Sequence, residues 1–169
     1  FGGPVASQPG RSWSRPGSWF GLSSRGPQDA LGENERGLAL CADIGGLRVF
    51  VQGDLPGSLA LGAARNCGRV DLWWLGHHGS DDAIDPGGNM IAALDPALVV
   101  ISAGQGNRYC HPSFTTLQKL SARRVAILGM PDLEDASRCA RDPGSWSQTH
   151  ELMPQGVWVE ARDEGALWT

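Results

Sequence analysis

The sequence predicts an α/β fold from residue 33 onward, in which short apolar strands alternate with short helices. Three observations predict it. Runs of bulky apolar residues recur at 38–42, 47–52, 70–75, 97–102 and 124–128. Segments with helical composition or spacing separate most of these runs. Glycine and proline punctuate the joins.

Each element follows from its residues. Residues 38–42 form an apolar strand. Residues 47–52 place Leu47, Val49 and Val51 on one face, as a half-buried strand does. The doublet Gly45-Gly46 between them marks a hairpin turn. Residues 56–65 are rich in Ala and Leu and predict a helix. Residues 70–75 read as a strand. Residues 89–94 read as a short helix stopped at Asp95-Pro96, because proline disfavours helix in the residue before it. Residues 97–102 form a buried strand. Pro112 suits the first turn of a helix, and Phe114, Leu117 and Leu120 then share one face. Strands at 124–128 and 156–161 close the list, and there is no internal repeat.

Residues 1–32 differ. Gly, Pro and Ser make up about half of them, too little apolar surface to offset chain entropy. They read as a linker or long loop, with 33–169 as the folded part. Trp13 and Trp19 could dock on that part. Alternatively, Arg11, Arg15 and Arg25 could touch a nucleic-acid backbone while the tryptophans stack on bases.

The net charge of −4 excludes a global basic field. No apolar run approaches the roughly 20 residues of a spanning helix. The four cysteines, Cys41, Cys67, Cys110 and Cys139, contain no C-x-x-C pair, which argues against a cysteine-rich zinc module. The default expectation for them is buried free thiols, with a disulfide as the alternative.

One pattern recurs three times: an apolar strand ends, a glycine-containing turn follows, and a metal-capable side chain sits in that turn. The segments are Val49-Phe50-Val51-Gln52-Gly53-Asp54, then Leu72-Trp73-Trp74-Leu75-Gly76-His77-His78-Gly79-Ser80, then residues 99–112 ending in His111-Pro112. Strands sharing a sheet and a direction bring such ends to one edge, where ligand sites commonly lie. Aspartate and imidazole together bind cations such as zinc, manganese or iron. Three of the four histidines fall in these turns; His150 lies in a polar stretch and reads as exposed. Plainer roles stand beside these. Asp54 could cap the helix starting near Pro56, one histidine of the pair could be packed and the other solvated, and His111 could cap the helix after it.

The motifs resemble the ComEC-like metallo-hydrolase domain of the metallo-β-lactamase superfamily. Asn34-Glu35-Arg36-Gly37-Leu38-Ala39-Leu40 is similar to its N-E-N-S-L-V-L. Val51-Gln52-Gly53-Asp54-Leu55 is similar to its L-T-G-D-L, and Gly76-His77-His78-Gly79-Ser80 to its G-H-H-G-S. Residues 101–112 resemble I-S-V-G-x-x-N-R-Y-G-H-P, with Cys110 in place of a glycine. The likeness covers about 33–130 and, more loosely, reaches 161.

The resemblance implies the C-terminal half of an αββα sandwich. It implies a hydrolase with two divalent metal ions, zinc or manganese, acting on DNA or a related phosphodiester. Asp54 becomes a metal ligand together with one of His77 and His78, His78 and His111 become catalytic, and Ser80 and Asn107 substrate-binding. The alternatives are a lactone or ester hydrolase and an inactive binding module. Localisation follows context: cytoplasmic for a stand-alone protein, membrane-associated within a larger ComEC-like one. The family's upstream cluster, H-x-H-x-D-H or H-x-D-x-D-H, has no counterpart here, because no histidine precedes His77. This chain alone is therefore expected to bind metal weakly, and to need a missing N-terminal half or a partner chain to cover one apolar sheet face.

Overall fold

The computed structural model describes residues 19–23, 32–104, 108–128, 151–153, 159–162 and 165–168. In chain order the elements are β1 (Trp19–Ser23), β2 (Leu38–Ile44), β3 (Leu47–Val51), α1 (Gly57–Cys67), β4 (Leu72–Trp74), α2 (Asn89–Leu94), β5 (Leu98–Ser102), α3 (Phe114–Lys119), β6 (Val125–Leu128), β7 (Glu151–Met153), β8 (Val159–Arg162) and β9 (Gly165–Trp168). Single 3-10 turns cover Asn34–Arg36 and His77–Gly79. Among the described residues no helix is long and apolar enough to cross a membrane.

Strands β1 to β7 form one sheet in sequence order, and β8 pairs with β9 in a separate two-stranded sheet. β1, β2 and β3 are antiparallel; β3 through β7 run parallel. Parallel neighbours in sequence order need crossovers, and crossovers of one hand put every connecting helix on the same face. The packing agrees. Ala60 and Ala64 of α1, Met90 and Leu94 of α2, and Leu117 of α3 share one core with Phe50, Trp73, Val99, Ile101, Val125 and Ile127 of the sheet. On the other face Leu72, Leu98, Val100 and Ala126 form a smaller buried cluster. That face was expected to stand open. Its centre is closed, whereas Trp74 towards the C-terminal edge is 40% exposed.

The mixed α/β reading holds, with shifted boundaries. α1 runs two residues past the expected end and stops at Gly68, whose φ of 71° suits glycine. β4 keeps only three residues. β8 ends with Arg162 and starts three residues late. Strand β1 lies inside the stretch read as linker, and β7 and β9 were also unforeseen.

One expectation is overturned. Cys41 on β2 and Cys67 at the end of α1 are disulfide-bonded, Cys110 is disulfide-bonded too, and no described cysteine is free. Both Cys41 and Cys67 point into the shared core from elements packed face to face, a proximity that spacing along the chain does not reveal.

Candidate functional site at the C-terminal edge of the sheet

Strands β3, β4 and β5 are parallel neighbours, so the loops that follow them leave from one edge. Backbone hydrogen bonds tie these loops together. Gln52 N–H donates to the Trp74 carbonyl at 3.1 Å, Leu75 N–H to Val100 at 2.9 Å, and His77 N–H to Gly53 at 3.1 Å. Ser113 N–H reaches the Gly79 carbonyl at 2.8 Å. Two glycines make this closeness possible. A Cβ on Gly76 would lie 2.2 Å from the Gly53 carbonyl oxygen, and one on Gly79 would lie 2.7 Å from Pro112 Cβ. The turn also holds His77 and His78 at φ of 49° and 51°, a left-handed geometry that costs a non-glycine residue about 1 kcal/mol or more.

The two adjacent histidines have different surroundings. His77 is half-buried, with Nδ1 3.1 Å from Asp82 Oδ1 and Nε2 3.0 Å from Asn34 Nδ2. A carboxylate only accepts, so Nδ1 carries the proton and Nε2 accepts from the Asn34 amide. Ser80 is buried, and its hydroxyl donates to the same Asp82 oxygen. Burial alone would raise the Asp82 carboxyl; the Ser80 hydroxyl, then the electrostatic attraction and hydrogen bond of the His77 ring N–H, outweigh it and hold the group below its ordinary value.

His78 is exposed, and its Nδ1 lies 2.9 Å from the Ser102 carbonyl. A carbonyl also only accepts, so Nδ1 is protonated and the lone pair sits on Nε2, which has no partner among the described residues. This is the anchoring that commonly prepares an imidazole to bind a metal or take a proton. His111 lies across the edge, its ring centroid 5.8 Å from that of His77 and 5.8 Å from that of Tyr109.

Asp54 is exposed on the loop whose Gly53 carbonyl holds His77. It does not cap α1, whose N-cap is Pro56. Nor does His111 cap α3: Ser113 does, accepting from Thr116 N–H. Asn107 and His150 lie outside the described residues. Among the described residues no group of three or more His, Cys, Asp or Glu is spaced to hold a metal ion. Asp54 and His78 fall short of the three or four protein ligands of a tight zinc site, so these residues do not by themselves fit a metal centre.

Two supporting residues escaped the sequence reading. Gln52 is fully buried and uses its whole hydrogen-bonding capacity. Nε2 donates to the carbonyls of Leu55 and Ala83 at 2.8 and 2.7 Å, and Oε1 accepts from Trp73 Nε1 at 3.1 Å and Gly76 N–H at 3.3 Å. It thereby fixes the Asp54 loop against the histidine turn. Asp85 is also buried and accepts from Asn89 N–H, the Asn89 amide and Met90 N–H. Its one sequence signal was its place just before the predicted helix at 89–94. For Gln52 the signal was a polar residue ending a buried apolar strand.

Fold and site together define an α/β protein with a histidine-bearing sheet edge. No protein-family model matches the chain. The chain is similar to ComE operon protein 3 of Bacillus subtilis (strain 168), 33% identical over 109 residues that make 63% of this chain and 14% of that protein. It is also similar to Recombination protein 2 of Haemophilus influenzae, 25% identical over 118 residues, 70% of this chain and 15% of that protein. The chain thus spans a small part of the length of the curated relatives it matches.

Proposed function

We propose that the chain supplies the C-terminal part of a metal-dependent hydrolase of the metallo-β-lactamase superfamily, acting on DNA or a related phosphodiester. The observation that carries the reading is the meeting of three strand-end loops at one edge: the loop of Asp54, the turn of His77 and His78, and the loop of His111. The ComEC-like motifs coincide with those loops. In this reading Asp54 and His78 offer donors at the edge, and the remaining ligands come from sequence beyond this stretch or from a partner chain. His77, with both ring nitrogens engaged, orients the turn. Ser80 supports it through Asp82, and His111 faces the substrate. His78, with Nδ1 anchored on the Ser102 carbonyl, presents its Nε2 lone pair as its donor, and a metal held there would supply hydroxide by lowering the pKa of bound water.

A second reading is favoured by one observation. The described residues lack a three-donor group, which suits a binding module that keeps the fold without the chemistry.

The test is hydrolysis of bis(p-nitrophenyl) phosphate, single-stranded DNA and a simple lactone, with manganese or zinc. It uses this chain and any longer native protein that carries it. The longer protein should cleave the phosphodiesters. Asp54→Ala should lower its metal content in elemental analysis, and His78→Ala should lower turnover at least tenfold with little change in thermal midpoint. Cleavage confined to the lactone contradicts the phosphodiester assignment. Activity absent throughout, with DNA still bound, favours the binding module.

A further inference from the structure

We infer that Arg108 and Tyr109 form a contact for a phosphate and a neighbouring unpaired base of a single-stranded nucleic acid, beside His111. The inference rests on the phosphodiester reading for its choice of ligand, but its observations are separate.

Tyr109 is 63% exposed and adds little to the core. It is nevertheless held in place. Its ring lies nearly parallel to His111, at 14° and 5.8 Å between centroids, and His111 in turn lies 5.8 Å from His77. Three rings therefore lead outward from the histidine turn. Arg108 extends the series: its guanidinium carbon lies 4.9 Å from the Tyr109 centroid, and Nη2 donates to the Tyr109 hydroxyl at 2.7 Å.

That bond uses one of the five guanidinium N–H groups. Among the described residues no carboxylate pairs with Arg108, whereas Arg69 and Arg123 share Asp95. A fixed fork with no carboxylate partner among the described residues, set on an exposed aromatic, suits two features of a nucleic-acid strand. Its free N–H groups match phosphate oxygens, and flat aromatic and guanidinium surfaces stack on unpaired bases. Bases in a duplex stay stacked on each other and cannot use such a surface. With a net charge of −4 the chain has no broad basic field, so attraction must be local.

The test is fluorescence anisotropy of the 169-residue chain with a labelled oligothymidylate, free or annealed to oligoadenylate. It is run in EDTA so that binding is read without hydrolysis. The free strand should bind more tightly than the duplex. Arg108→Ala and Tyr109→Ala should each weaken free-strand binding about tenfold, with Tyr109→Ala leaving duplex binding unchanged. Arg108→Ala should also reduce the salt slope by about 0.7. If an alanine variant loses its fold, Arg108→Lys and Tyr109→Phe read the same contact: the first weakens binding and the second keeps stacking.

No free-strand binding by the parent chain overturns the inference. So do alanine variants, or an Arg108→Lys, that bind like the parent, or a Tyr109→Ala that weakens duplex and free strand equally. Binding that behaves as expected in a protein without hydrolysis removes the phosphodiesterase reading and leaves this one. Hydrolysis with unaltered binding in both variants does the reverse.

Discussion

Gln52 shows how much of the candidate site depends on one buried side chain. Replacing it with Leu strands two carbonyls, an indole N–H and the Gly76 N–H. A buried unsatisfied group costs about 1–3 kcal/mol, and partial relaxation should leave a net loss of about 3 kcal/mol in urea denaturation. Asp85 sets a pH dependence. Burial alone would raise its carboxyl, but the N–H groups of Met90 and Asn89, the Asn89 amide and the charge of Lys119 hold it below the ordinary carboxylate value. A depressed folded-state value stabilises fully above the unfolded value, and that stability is lost as pH falls through the folded one. The chain should therefore lose stability on the acid side of the carboxylate range, and Asp85→Asn should be less stable at neutral pH with a shallower acid decline. Thermal midpoints across that range check both. The histidines and Asp54 were legible because residue type and strand-end position coincide. Gln52 and Asn34 were not, because their partners lie 21 to 43 residues away for the bonds that matter, and only the folded chain pairs them. Asp82 was not, because although His77 and Ser80 lie only five and two residues away, it is the turn geometry that brings its carboxylate to both.

The Cys41–Cys67 bond joins β2 to α1 across 26 residues of chain. In the chain-entropy model a loop of that size contributes about 3–4 kcal/mol. The double variant Cys41→Ala/Cys67→Ala should lose that amount in urea denaturation, and reductant should lower the thermal midpoint of the parent but not of the double variant. The elements legible in advance were those with clear patterns: the buried run of β5, the alternation of β3, and α3 with Pro112 ahead of it. β1 was hidden because Trp19–Ser23 includes Gly21 and sits among prolines and serines. Its order comes from pairing with β2 rather than from its own composition. β7 has three residues and β9 four, too short for periodicity to register.

Across the molecule, sequence-ordered parallel strands put the three helices on one face and the strand-end loops on one edge. That arrangement followed from the alternation of strand and helix and was legible as fold class. The covering of the second face was not, since the buried cluster of Leu72, Leu98, Val100 and Ala126 is a property of packing. The central claim is that the Asp54 loop, the histidine turn and the His111 loop act as one site. Titrating the isotope-labelled chain with manganese and recording paramagnetic broadening of amide resonances tests it even if binding is weak. The account predicts that broadening begins together at Asp54, at His77 to Ser80 and at His111. Broadening that starts at scattered acidic residues elsewhere, or reaches only one of the three loops, contradicts it.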